Sequence, residues 1–180
     1  MAEQPGIGGG GSLTAIRPAR EQDVPLLLEL FHELAVYERL EDQLQATPER
    51  LHAALFGERP AAEALIAEHG GQTAGYALFY PTFSTFLAIQ GIWLEDLFVR
   101  PAYRRVCVGR ALLAAVAAKL RERGGERLEW SALDWNELAL GFYRGLGAQR
   151  MEEWITHRLV GEHLARLAGE GAPGAGAEPR

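Results

Sequence analysis

The chain has 180 residues, 48% of them hydrophobic and 23% charged, and its 24 acidic and 18 basic side chains leave a formal net charge of −6. That length suits one domain with tails, and an acidic chain without a basic run argues against nonspecific nucleic-acid binding and suits a cationic partner better. The single cysteine, Cys107, excludes an intrachain disulfide; with no apolar run of ~18 residues and no signal-peptide core after Met1, a cytoplasmic protein without a membrane partner is expected.

Residues 1–12 hold five glycines, and residues 169–180 hold four glycines and two prolines. Such stretches bury too little apolar surface to offset the entropy of ordering. Both are expected to be disordered tails around one domain, residues 13–168. Within it, residues 14–17 read as a strand ending at Pro18. Val24, Leu27, Leu28, Phe31, Leu34 and Ala35 then form one helical stripe, with Pro25 tolerated in the first turn. Thr47 caps a second helix that begins at Pro48 and stops at Gly57. Two apolar runs, residues 64–68 and 73–80, flank His69-Gly70-Gly71-Gln72 and predict a hairpin.

Residues 91–99 are apolar on both faces and predict a central strand. A helix follows over residues 109–123, with Leu112, Leu113, Val116 and Leu120 on one side and Gly124-Gly125 as its stop. Residues 127–133 read as a strand, 136–146 as a helix ended by Gly147, 154–160 as a last strand and 161–167 as a short helix. Strands that first follow one another and then alternate with helices imply an α/β protein of the α+β type. Its mixed sheet is covered on both faces.

Four groups of residues could carry chemistry. Leu97–Leu113 runs from a strand through a Pro turn and a basic, glycine-bearing loop into a helix. The N–H groups of such a helix start, with Arg104, Arg105 and Arg110 nearby, suit a phosphorylated cofactor; solvated arginines on an ordinary loop are the alternative. Glu95 and Asp96 interrupt the apolar strand. Strict alternation puts Glu95 with Trp93 and Leu97, and Asp96 on the opposite face with Leu94 and Phe98. Burial would raise such a carboxyl toward a useful general base, while a strand-end acid reaching solvent is the plainer reading. Tyr143 could donate a proton, or simply be core. Tyr37, Glu38, Glu41, Asp42, Glu152, Glu153 and Trp154 could bind an amine by charge and cation–π contact, although Glu41 and Asp42 fit a solvated loop better. The five histidines show no metal-ligand spacing, so no metal is expected.

These features occur together and in one order. Ile16-Arg17-Pro18-Ala19, Glu33-Leu34-Ala35-Val36-Tyr37-Glu38, Leu94-Glu95-Asp96-Leu97-Phe98-Val99, Pro101-Ala102-Tyr103-Arg104-Arg105, Leu133-Asp134-Trp135-Asn136 and Phe142-Tyr143-Arg144-Gly145-Leu146-Gly147-Ala148 carry a resemblance. The chain resembles the GCN5-related N-acetyltransferase (GNAT) superfamily, and within it the spermidine/spermine N-acetyltransferase-like group, which includes thialysine and diamine acetyltransferases. The resemblance implies a GNAT fold with a mixed sheet of about six to seven strands flanked by four to five helices. It implies acetyl-CoA as co-substrate, a small amine as acceptor and a homodimer.

Carried over residue by residue, it implies that Leu97, Phe98 and Val99 pair with the pantetheine arm. Arg104, Arg105, Val106, Cys107, Val108, Gly109 and Arg110 would cradle the pyrophosphate, and Asn136 would touch the cofactor. Tyr143 would protonate the leaving thiolate and Glu95 would take the amine's proton. Tyr37, Glu38, Glu95, Asp96, Glu153 and Trp154 would line the amine site. One departure stands out: Cys107 replaces the first glycine of the loop pattern, where glycine serves close phosphate approach or positive φ. A catalytically weak acyl-CoA-binding regulator is the alternative that this departure allows; a protein N-terminus or an antibiotic amine is the alternative acceptor.

Overall fold

A computed structural model describes residues 14–171. The chain forms two compact units, one ending at Ser131 and the other starting at Ala132. The tail expected over residues 1–12 lies outside the described residues, as does most of the one expected over 169–180.

The first unit is built on a five-stranded sheet. Its strands are β1 (Thr14–Pro18), β2 (Glu63–His69), β3 (Gln72–Ser84), β4 (Ile89–Val99) and β5 (Arg127–Trp130), in the order β1-β2-β3-β4-β5. Neighbours are antiparallel except β4 and β5, which are parallel. Gly70 and Gly71, at φ +59° and +77°, make the two-residue turn between β2 and β3. Both positions need the left-handed region, so the Gly-Gly pair dictates the hairpin.

Helices α1 (Val24–Glu38) and α2 (Pro48–Phe56) cover one face. Val24, Leu27, Leu30, Leu51 and Leu55 pack there with Ala64, Ile66, Tyr76 and Phe98. The alternate strand residues Leu65, Ala67, Ala77 and Phe79 are also buried. They face the other side, which α3 (Val108–Glu122) covers with Leu112, Val116 and Leu120. Thr47 caps α2 as expected, its hydroxyl accepting from the Arg50 N–H at 3.3 Å. Arg17 ties β1 to the start of α1 through Asp23 (2.7 Å) and to β2 through Glu68 (2.7 Å). Asp23 is held below its usual pKa, first by its hydrogen bond from Arg17.

The second unit holds α4 (Glu137–Gly145) and α5 (Gly161–Glu170). Helix α5 extends past the expected end at residue 167, into the segment read as a tail. The strand expected over residues 154–160 is irregular, with no ladder partner among the described residues. Its β-forming composition is not enough, because a strand exists only through its neighbours' hydrogen bonds. The sheet therefore has five strands among the described residues, not six to seven.

Two further boundaries differ. Strand β3, expected over residues 73–80, runs on to Ser84, and β4 starts at Ile89 and not at residue 91; Pro81 lies within the ladder and pairs with Ile92. Strand β5 ends at Trp130, not at residue 133, because β4 offers it partners only through Leu94.

Candidate active site

The site begins with an irregularity in β4. Leu78 pairs with Asp96 and Phe79 with Leu94, so Glu95 is an extra residue opposite no partner on β3. This is a β-bulge. Leu78 and Phe79 point to opposite faces, so the bulge reverses the alternation between Leu94 and Asp96. The expectation that Glu95 and Asp96 lie on opposite faces is thereby corrected. Glu95 accepts from the Trp93 indole N–H at 2.9 Å and the Tyr80 hydroxyl at 3.3 Å. Asp96 accepts from the Tyr76 hydroxyl at 3.0 Å. Tyr76 and Tyr80 share a face of β3, so both carboxylates lie on the side covered by α1 and α2.

The last turn of α1 brings Tyr37 and Glu38 to the same side. Burial pushes the Asp96 carboxyl up to about 6; the Tyr76 hydrogen bond opposes this, and the charges of Glu95 and Glu38 add to it. Burial also raises Glu38. Tyr76 is held well above the ordinary phenol range, first by burial and then by the charges of Asp96, Glu38 and Glu95. Asp96 thus feels the charges of Glu95 and Glu38, and a cation beside it would relieve that repulsion. Strict alternation sets Trp93 on the Glu95 face, as found, but it does not single out Tyr76 and Tyr80; their signal is an every-other-residue pattern on β3, and their partners depend on the register.

Beside this cluster β4 is open. It pairs with β5 only over Gly91–Leu94, so residues 95–99 have β3 on one side and no ladder partner on the other among the described residues. Leu97, Phe98 and Val99 therefore form a strand edge that can accept another extended chain. A short 3-10 turn, Pro101–Tyr103, leads to the loop before α3. Arg105 and Cys107 both adopt φ +65°. Cys107, exposed, stands at the helix N-cap in the left-handed conformation. The glycine-like geometry of the loop is therefore kept although the glycine is not. The first helical bond runs from the Ala111 N–H to the Cys107 carbonyl at 2.9 Å. The N–H groups of Val108, Gly109 and Arg110 precede it and are suited to an anion. An open strand edge leading to these amides fits an extended thioester carrier with a pyrophosphate. Arg105 and Arg110 are exposed beside them. Arg104 turns back instead: its Nε–H donates to the Val99 carbonyl at 3.0 Å, and its guanidinium lies 4.6 Å from the Tyr37 ring centroid.

The remaining expected residues belong to the second unit. Asn136 caps α4, its side-chain oxygen accepting from the Ala139 N–H at 3.2 Å. Tyr143 is half-buried on α4, its ring 5.4 Å from that of Phe142. Glu153 and Trp154 are exposed in the irregular segment after α4. Among the described residues no group of three or more His, Cys, Asp or Glu is placed to hold a metal. No helix there is long and apolar enough to cross a membrane.

The profile of the Acetyltransferase (GNAT) family matches residues 27–148. The chain belongs to this family. As a GNAT protein it is an acetyltransferase. It is 38% identical to a thialysine N-epsilon-acetyltransferase of Bos taurus, over 86% of this chain and 97% of the bovine protein. It is 33% identical to an L-ornithine N5-acetyltransferase of Arabidopsis thaliana, over 84% and 86% of the two chains. Among solved structures, an integron cassette protein of V. cholerae superposes with a TM-score of 0.73 at 25% identity, covering 88% of this chain and 99% of that one. The five-stranded mixed sheet is thus a GNAT sheet.

Proposed function

We propose that this GNAT protein transfers the acetyl group of acetyl-CoA to a primary amine of a small cationic substrate: a polyamine, a diamine, thialysine or a lysine- or ornithine-like amino acid. The observation that carries this reading is the bulge in β4, which sets Glu95 and Asp96 on one face with Glu38 beside an open strand edge. Similarity to acetyltransferases of thialysine and ornithine supports it.

Acetyl-CoA, when bound, supplies an activated acetyl thioester. Leu97, Phe98 and Val99 would hold its extended arm, and Arg105, Arg110 and the amides of Val106–Gly109 its phosphates. Glu38 and Asp96 draw in the substrate ammonium. Glu95 takes its proton, because only the neutral amine is a nucleophile. N–H groups along the open β4 edge would stabilise the negative charge that develops on the thioester oxygen. By the family resemblance, Tyr143 would return a proton to the departing sulfur, and Glu153 and Trp154 would contribute to binding the amine.

The test is incubation of the protein with acetyl-CoA and a panel of spermidine, putrescine, L-ornithine, lysine and thialysine, with products read by mass. One amine gaining an acetyl group above the protein-free control is the expected result. Acetylation of peptide N-termini or aminoglycosides alone would replace this acceptor class by another.

A further inference from the structure

Arg104 opens the loop that precedes α3, yet its side chain points away from that helix's free amides. Its Nε–H donates to the Val99 carbonyl (3.0 Å) at the end of the open β4 edge, and its guanidinium lies over the Tyr37 ring (4.6 Å). Tyr37 directly precedes Glu38, a member of the carboxylate cluster. The Arg104 backbone is extended and the next residue, Arg105, is left-handed. One side chain therefore joins three places: the loop suited to phosphates, the strand edge suited to the extended arm, and the aromatic wall of the amine site. A planar guanidinium can hold a carbonyl at its Nε–H while stacking on a ring, a combination that lysine cannot reproduce.

We propose that Arg104 is a positioning residue that couples occupancy of the acyl-CoA loop to the geometry of the amine site through Tyr37. The inference rests on the functional reading above. Ordering of the Arg105–Arg110 amides around a pyrophosphate fixes the Arg104 backbone. The guanidinium then fixes the Tyr37 ring, and the amine meets a formed wall. Coupling of this kind is reciprocal: each ligand tightens the other by the same factor.

The experiment is calorimetric binding of thialysine, and in parallel of L-ornithine, with and without saturating coenzyme A. Wild type is expected to bind the amine about fivefold or more tightly with coenzyme A present. In Arg104→Ala that factor falls to about one, and in Tyr37→Leu it falls likewise, while Tyr37→Phe keeps it because the ring is kept. Tyr37→Leu alone decides the matter if Arg104→Ala does not fold. A factor unchanged in Tyr37→Leu overturns the proposal and leaves Arg104 a structural tie between the loop and β4. A wild type that binds coenzyme A but neither amine overturns the amine reading, and this inference with it.

Discussion

Replacing Asp96 by Asn should stabilise the protein at neutral pH and cost it function. The carboxyl is partly enclosed beside Glu95 and Glu38, and burial raises it from 3.8 to about 6. At about 1.4 kcal/mol for each tenfold change in proton affinity, that rise corresponds to about 3 kcal/mol. Water reaching the half-buried group trims the figure toward about 2 kcal/mol. Below about pH 4 the group is protonated in both folded and unfolded chains and favours neither. As pH rises from there to about 6, the unfolded chain releases its proton while the native chain holds it, so native stability falls. Above about pH 6 the loss is complete. Asn still accepts from the Tyr76 hydroxyl but carries no charge. The stability gain of Asp96→Asn should therefore be near zero at about pH 4 and reach about 2–3 kcal/mol by about pH 8. Urea unfolding followed by tryptophan fluorescence at several pH values measures it. A gain that does not change with pH, or a variant less stable than wild type at about pH 8, would refute the reasoning. The same variant should bind the amine more weakly, since a charge that destabilises the fold is one that serves the site.

Other outcomes follow from single positions. Cys107→Gly releases a non-glycine residue from φ +65° and should raise stability by about 1 kcal/mol, seen as a melting point a few degrees higher; a lower melting point would contradict the loop geometry. Gly75→Ala places a Cβ 2.2 Å from the Phe98 carbonyl oxygen, so it should destabilise by about 2 kcal/mol or more and loosen coenzyme A binding at the β4 edge; a neutral change in urea would contradict this. Tyr143→Phe should lower kcat by about 100-fold or more with coenzyme A affinity unchanged, and full activity in steady-state assays would remove the tyrosine from the reaction.

Much of the fold is legible locally. Thr47-Pro48 states where α2 begins, Gly70-Gly71 states where β2 turns into β3, and the apolar stripe of α1 states which face it buries. These signals need no distant partner. What the sequence hides depends on partners far along the chain. Nothing local in Leu94-Glu95-Asp96-Leu97 says that alternation breaks at Glu95, because the bulge is defined by how Leu78 and Phe79 pair with β4. Residues 154–160 have a strand's composition and no ladder partner among the described residues. Strand β3 runs past residue 80, where the apolar run ends, because Pro81 and its neighbours find partners on β4. The site itself was half visible. Its acids and its loop are named as candidates from spacing and family likeness, and Cys107 takes the left-handed conformation that a glycine would allow there. The donors from Tyr76 and Tyr80 and the inward turn of Arg104 came only with the folded structure.

The central claim is that the bulged carboxylates of β4 receive the amine and its proton. It is tested most directly by Glu95→Gln, measuring kcat/KM for the best amine of the panel together with the dissociation constant of coenzyme A. The expected result is a fall in kcat/KM of about 100-fold or more, with coenzyme A binding within about twofold of wild type. Wild-type turnover by Glu95→Gln would contradict it.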